Sequence, residues 1–483
     1  MRLSGGGDTE FDREERLLTD ATMTEAATGS GAAHAKQNQI EKNGVITLDA
    51  PGTGVKDTWS AMGPGIAAAM TGIGASHIMH GPTAGAQYGY QLLWIIPFAY
   101  LIKYCCFEFA HRYTMVKGES VMEAYGRIGN WPFWYLGFQS LANTVGIAGR
   151  ALGCGALIWA AFPFLPIEVW SAAILFISVA ILWAGKYSAV ETVVKVAIIV
   201  FAASTFLAFA LQAPPVGDYI TSLAPALAPA GAMMLFGSMV GYFPTTTEVS
   251  VMQSNWAVSK GSGMVKVREL EAQGYKVEMA PNYMKNSLTL FRRDMNISYL
   301  ISMITGMIFL IIGAAVLNPI GLVPKGSEMG LTIARIYTDT FGAWIFPMII
   351  AGGVAALFST VFTYFDGQAK VFEESAVRLR RSLDSESIRN LLYKGFQVLS
   401  LVTGTAIIFG LPSPIVVVQV ASVMALLFSP VIYWLNIKAV KANFTTAEER
   451  QYLPGPAMMG LAWFGAVALA VISVYVIAMM ALN

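Results

Sequence analysis

An all-α integral membrane protein of eleven spans, folded as a five-plus-five inverted repeat with spans one and six broken, is the fold class this sequence predicts. Three observations lead there: the composition, the placement of basic residues between apolar stretches, and two helix interruptions at matching positions.

The 483 residues are 55% hydrophobic and 13% charged, against about 25% charged in soluble domains. Most of the chain is therefore suited to lipid. A net charge of +1 gives no electrostatic case for a nucleic-acid partner. Cys105, Cys106 and Cys154 lie in apolar stretches without metal-ligand spacing, and no disulfide framework is implied. Residues 1–57 are rich in Gly, Ala, Thr and Glu and lack the regions of a signal peptide. They read as a disordered cytoplasmic tail, and a later start codon within them is equally compatible. Residues 58–483 read as the transmembrane domain, with repeat one at about 58–213, repeat two at about 229–440 and an extra helix at 457–481.

A bilayer span needs about 20 apolar residues. Candidate spans fall at 60–87, 90–111, 132–161, 166–185, 189–212, 229–257, 295–318, 342–366, 394–411, 414–437 and 457–481. Cytoplasmic loops collect Lys and Arg. With the N-terminus inside, the 258–294 loop alone carries Lys260, Lys266, Arg268, Lys276, Lys285, Arg292 and Arg293, whereas the outer loops hold Lys325 and Arg335. This pattern places the chain as a multi-pass protein of the plasma (inner) membrane, N-terminus cytoplasmic and C-terminus outside.

Span one is interrupted at "GASHIMHGP", 74–82, and span six at "GYFPTTTE", 241–248. Five spans separate their starts, so they hold corresponding places in two halves of opposite topology. Paired Gly/Pro-interrupted helices mark the binding site of inverted-repeat transporters, at the bilayer midplane.

The stretches "GPGIAAAMTGIG" and "AGAQYGYQLLW" within 63–94 resemble the first two spans of the NRAMP divalent-metal transporters, and the layout of all eleven spans is similar. The resemblance implies a LeuT-type fold and import of manganese or iron, usually coupled to protons. Its site motifs differ here. The family's Asp-Pro-Gly-Asn falls on Gly74, Ala75, Ser76 and His77, and its Met-Pro-His on Phe243, Pro244 and Thr245. A tenth-span Gln falls on Ala425 if Gln419 anchors the register, and two third-span acids fall on Gly146 and Gly149. A carboxylate, a thioether and an amide have thus gone from a site that must repay the dehydration of a metal ion.

In their place stand candidate substrate-binding residues Gly74, Ser76, His77, His80, Arg150, Thr245, Thr246 and Thr247. His77 and His80 are the candidate metal ligands, if any, and with Glu248 the candidates for coupling or proton relay. Arg150 is the one Lys or Arg placed deep within a span, in the Gly-rich run "NTVGIAGRALGCGAL". Such residues are functional by default, and Arg suits bidentate binding of carboxylate or phosphate. "PTTTE" reads as a helix start, with Thr245 and Glu248 at capping-box spacing and hydroxyls at an anion-attracting helix end. Asn143 and Thr144 are weaker candidates nearby. Lys103, Glu108 and His111 read as snorkelling residues at the cytoplasmic end of span two, and Lys195 similarly in span five. The 335–340 stretch reads as an exposed amphipathic loop, 367–393 as a solvated helix, and 258–290 as room for a small hairpin.

The expected function is secondary transport with a rebuilt midplane site, most simply import of a metal as an anionic chelate such as a metal–carboxylate complex. An ordinary Mn/Fe importer using His ligands, an organic-anion or amino-acid carrier, and a non-transporting membrane sensor are the alternatives. The expected partners are a small-molecule or metal-complex substrate and the lipid bilayer, without a cofactor. No nucleophile–base pair or zinc motif lies on one face of a span, so an enzyme is not expected.

In a background without the native cysteines, a cysteine placed in 258–290 is expected to react with an impermeant maleimide only from the cytoplasmic side. Labelling from outside intact cells would overturn the topology.

Overall fold

The computed structural model describes residues 38–40, 45–61, 74–185, 187–229 and 231–482, without side chains at 38–40, 61 and 187–199. "GPGIAAAMTGI" and most of the N-terminal tail lie outside the described residues.

The chain enters as strands β1 (Asn38–Ile40) and β2 (Val45–Leu48) and helix α1 (Val55–Ala61). A π-helical turn, Ser76–His80, then leads into α2 (Gly81–Tyr88). α3 (Ile95–Lys117), the short α4 (Val121–Gly126), α5 (Trp131–Ala142), α6 (Thr144–Ala161), α7 (Ile167–Ala184) and α8 (Tyr187–Gln212) follow. The second half holds α9 (Met233–Tyr242), α10 (Val249–Lys260), α11 (Met264–Ala272), β3 (Lys276–Met279), α12 (Tyr283–Val316) and α13 (Met329–Phe341). It closes with α14 (Phe346–Leu379), α15 (Glu386–Gly410), α16 (Pro414–Asn443) and α17 (Pro456–Leu482).

Among the described residues, seven helical stretches are long and apolar enough to cross a membrane: Trp131–Ala161, Ile167–Ala184, Tyr283–Ile320, Ala343–Leu379, Glu386–Gly410, Pro414–Asn443 and Pro456–Leu482. They coincide with expected spans three, four and seven to eleven. Span two is α3, which carries Lys103, Glu108 and Arg112 and so fails on charge. Span five is α8, whose last part is bent by 108° against Val216–Leu223. Span six is α9 and α10, divided at 243–248.

Small residues let the helices approach closely, as in other membrane interiors. A Cβ on Gly85 of α2 would lie 2.2 Å from the Leu310 carbonyl oxygen and 2.5 Å from the Ala314 nitrogen of α12. On the facing helix, a Cβ on Gly313 would lie 2.7 Å from Pro82 Cα. The Gly-rich run of α6 acts likewise. Gly149 faces the backbone of Val418 on α16, and Gly155 faces Ile167 and Ser171 on α7.

Several expectations are corrected. Residues 45–57 are not a disordered tail. β2 pairs antiparallel with β1 and parallel with β3, and Ile46 and Leu48 are buried. Asn286 of α12 donates to the Pro51 carbonyl at 2.9 Å, so residues 45–51 are folded onto the 258–294 segment. That segment forms α11 and β3 rather than a hairpin, because β3 finds its partner in β2. Residues 335–340 belong to α13, with Ile336 and Tyr337 buried. The 367–379 stretch continues α14, and its charges are paired: Arg378 with Glu123 and Glu374, and Glu373 with Arg389 at 2.5 Å.

Replacing Gly85 by Leu should abolish recovery of monodisperse protein, because the clash is with backbone. Gly137→Ala, on an open face of α5, should leave stability equal or raised by up to about 1 kcal/mol. Thermal unfolding in detergent compares the two.

Candidate functional site

Two local rules shape the site. Pro244 lacks an N–H and pushes its predecessor out of the helical region; accordingly α9 stops at Tyr242 and Phe243 is extended, with ψ 131°. The chain stays non-helical through Glu248 before α10 begins. In the first break, the described residues are not unwound. Ser76–His80 forms a buried π-helical turn running straight into α2, with Pro82 near the α2 start, where its missing N–H is harmless. π-Turns concentrate at functional sites because they reset the faces that side chains present.

His77 and His80 point to different surroundings. The His77 Nε2 lies 2.8 Å from the Ser302 carbonyl of α12, and Nδ1 lies 2.8 Å from the Ser76 hydroxyl. Nε2 therefore carries the proton and donates, while Nδ1 accepts from Ser76. With Tyr100 and Ser302 hydroxyls also near Nε2, at 3.3 Å each, the ring is held as a tie between the first break and α12. His80 is different. It is buried, and among the described residues neither ring nitrogen has a hydrogen-bond partner. Its ring lies 5.8 Å from that of Tyr242.

Arg150 of α6 is 3% exposed. Its guanidinium carbon sits 3.8 Å from the Tyr364 ring centre and 4.7 Å from that of Tyr242. Nη1 has no hydrogen-bond partner among the described residues, and no carboxylate lies within ion-pair distance there. Gly146 makes the room, since a Cβ there would be 2.8 Å from both Nη1 and the Tyr242 hydroxyl. A desolvated cation–π contact contributes on the order of 2 kcal/mol, less than the several kcal/mol that burial of the charge costs.

The threonines divide. Thr246 and Thr245 lie 2.7 and 3.3 Å from the Tyr364 hydroxyl. Thr247 donates to Ser429 of α16 at 3.1 Å, away from Tyr364. Glu248 corrects the capping-box reading: as first residue of the α10 start it makes no side-chain cap. Its carboxylate instead accepts from Gln139 and Asn143, each at 3.0 Å. Gln139 and Asn143 stand four residues apart, on one helical face, so both amides reach the same carboxylate. Gly74 packs against Thr360 of α14, with room for no Cβ.

Lys103 was expected to snorkel, and it does not. It is fully buried, and its ammonium donates to the Gly241 and Thr245 carbonyls at 2.7 and 3.0 Å. Arg150 is therefore not the one buried cation. Glu108 and His111 are likewise inside, because the N-terminal part of α12 covers this end of α3. Glu108 pairs with Arg112 and, at 3.3 Å, with Arg292, while His111 stacks on Phe291 at 3.9 Å. Lys195 has no described side chain. Tyr242, Tyr364 and Gln139 were missed in the sequence reading. Among the described residues no group of three or more His, Cys, Asp or Glu could hold a metal ion.

Filling Ser302 or removing His77 disturbs a structural tie. His77→Ala should cost about 1–3 kcal/mol, the penalty for an orphaned buried acceptor. His80→Phe, which removes no hydrogen bond, should keep the melting temperature and alter only ligand response. Thermal shift with and without ligand separates the two.

Comparison with known proteins places this geometry. Residues 65–479 match the family model Nramp, natural resistance-associated macrophage protein-like. An uncharacterized protein of Pasteurella multocida is 27% identical over 403 residues, covering 80% of this chain and 87% of that one. Among solved structures, the Eremococcus coleocola manganese transporter bound to an aromatic bis-isothiourea compound superposes with a TM-score of 0.63 at 14% identity, over 88% of this chain and 87% of that one. MhsT in complex with L-phenylalanine superposes with a TM-score of 0.50 at 12% identity, over 85% and 98%. The chain has the LeuT-type fold of these transporters.

Proposed function

We propose, on the premise that this chain belongs to the natural resistance-associated macrophage protein-like family, that it is a secondary transporter carrying a metal as an anionic chelate. Membership supports a metal-ion transporter in general, and a transporter rather than an enzyme. The observation that carries the finer reading is Arg150: a buried guanidinium caged by Tyr242 and Tyr364, with Nη1 lacking a hydrogen-bond partner and no carboxylate within ion-pair distance among the described residues. A second buried cation, Lys103, lies at the same break. The nearby carboxylate, Glu248, is already engaged by two amides.

A bare divalent ion is repelled by the fixed Arg150 guanidinium in a low-dielectric site and finds too few ligands here to replace its water. A metal held by a small polycarboxylate brings its own ligands and presents negative charge outward. Arg150, the Tyr364 and Thr246 hydroxyls and the free His80 nitrogens all suit its oxygens. His80 alone favours the rival reading of bare-metal import, since an unpartnered imidazole is a competent ligand.

The same reading keeps the expected membrane arrangement. Pairing of β2 with β3 supports a tail and a 258–294 loop on one membrane face, and the basic charge of that loop makes the face cytoplasmic. The two repeats then run from about 58 to 213 and from about 229 to 440.

Liposomes carrying the purified protein, supplied with radiolabelled manganese or iron either free or as the citrate complex, test the cargo. Uptake of the complex should exceed that of free metal. Arg150→Ala should weaken it by about 2–5 kcal/mol, or 30-fold or more, as when a buried charge pair is broken. Arg150→Lys keeps the charge without the planar fork and should lose less. A monodisperse Arg150→Ala protein with undiminished uptake of the complex would remove the anion argument. Preferential uptake of free metal, lost in His80→Phe, would establish the bare-metal reading.

A further inference from the structure

The break in span six exposes carbonyls that a regular helix would have used. Tyr242 ends α9, so the carbonyl of Gly241 meets no N–H four residues on, where Thr245 is outside any helix. In folds of this class, the unwound carbonyls and half-helix C-terminal ends coordinate the coupling cation. Here the Gly241 and Thr245 carbonyls face the Lys103 ammonium at 2.7 and 3.0 Å. Lys103 comes from a neighbouring helix, is fully buried, and has no carboxylate within ion-pair distance among the described residues.

We infer that Lys103 is a coupling residue, a tethered cation whose protonation state sets whether the span-six break is held against α3 or released. Protonated, Nζ donates to both carbonyls and bridges α3 to the two sides of the break. The proton leaves Nζ to water and the lone pair stays on the amine, which keeps two N–H donors but loses the charge that strengthened both hydrogen bonds, so the bridge loosens. A proton taken up from the opposite side restores the bridge. Lysine is able to cycle in this way inside a protein, whereas arginine is always charged.

The surroundings are sparse in competing groups. Glu248, on the break, and Cys106, on α3 itself, are the titratable groups that act on the Lys103 charge. Tyr299 of α12 and Tyr433 of α16 act on Cys106. α9 and α17 contain no charged residue, and α10 carries one only at its last position, Lys260. Cys106 is occupied by Asn436, whose amide donates to its sulfur at 3.3 Å. Glu248 is held by Gln139 and Asn143. This inference rests on the transport reading, but not on the identity of the cargo.

Two measurements on the full chain test it. The first needs no cargo. Hydrogen exchange of the segment 241–252 in detergent, corrected for the intrinsic rate, is followed at pH 6 and pH 9 in wild type and Lys103→Arg. Wild type should lose at least tenfold protection at the higher pH, and Lys103→Arg should not. Equal change in the two proteins would overturn the inference. The second uses liposomes with free manganese and manganese citrate in parallel. Lys103→Arg should fail to accumulate, on an imposed pH gradient, whichever cargo wild type accumulates. Accumulation at the wild-type level would overturn the inference, whichever cargo is used. If neither form moves in wild type, the cargo reading fails and the exchange measurement still decides on Lys103. A purely structural lysine would leave wild type and Lys103→Arg alike in both assays, because arginine keeps the charge and the donors.

Discussion

Inside a bilayer there is no water to satisfy a freed backbone carbonyl, and each one left bare costs several kcal/mol. That constraint governs the break between α9 and α10. The chain can leave the helix at Phe243 only because side chains from other helices take over the hydrogen bonding. Lys103 supplies an ammonium to the carbonyls, Tyr364 meets the Thr245 and Thr246 hydroxyls, and Ser429 meets Thr247. Proline makes the break, but three neighbouring helices make it tolerable. Much of the polar chemistry in the membrane interior gathers there for this reason.

Such a convergence needs helices closer together than ordinary side chains allow. Gly241 lies where a Cβ would be 2.0 Å from the Ser422 carbonyl, so the end of α9 is pressed against α16. Gly146 and Gly149, which stand where the family resemblance places two acids, now do spatial work. One gives room to the Arg150–Tyr242 contact, and the other lets α6 meet the Val418 backbone. The guanidinium, one turn along α6, lies against the space that Gly146 leaves. The His77 tie to Ser302 fixes the opposite wall, setting the first break against α12.

Much of the architecture was legible in the sequence, because apolar length, basic loops and Gly/Pro punctuation are properties of single segments. The span-six break could be read from Pro244 alone. What was not legible depends on partners distant in the chain. Lys103 and Glu108 look like residues near a helix end that reach for water; the α9–α10 break takes up Lys103, and α12, running on from Tyr283 through the loop boundary, covers Glu108. Glu248 has the spacing of a capping box with Thr245, yet Gln139 and Asn143, more than 100 positions away, take its carboxylate. Equally, β2 is too short and too polar in its surroundings to announce a strand; it is ordered by β3, across more than 200 residues. Tyr242 and Tyr364 carried no signal, since an aromatic residue in an apolar run is ordinary until a guanidinium is found between two of them.

The charge pattern at the midplane separates fold from cargo. A scaffold that superposes on a manganese transporter holds, in place of a metal-ligand set, two buried cations and a carboxylate already hydrogen-bonded by amides. Had the lost ligands been replaced by apolar residues, the site would be inert, with no reason to retain Arg150 beside an unpartnered His80. Had they been replaced by other carboxylates, a bare ion would remain the natural cargo. On the proposed reading, a fixed guanidinium in their place makes the site less favourable to a bare metal ion, with Glu248 offsetting part of that charge. On the reading proposed above, the cargo suited to both this fold and this field carries negative charge on its outside, and for a metal that means arriving already coordinated.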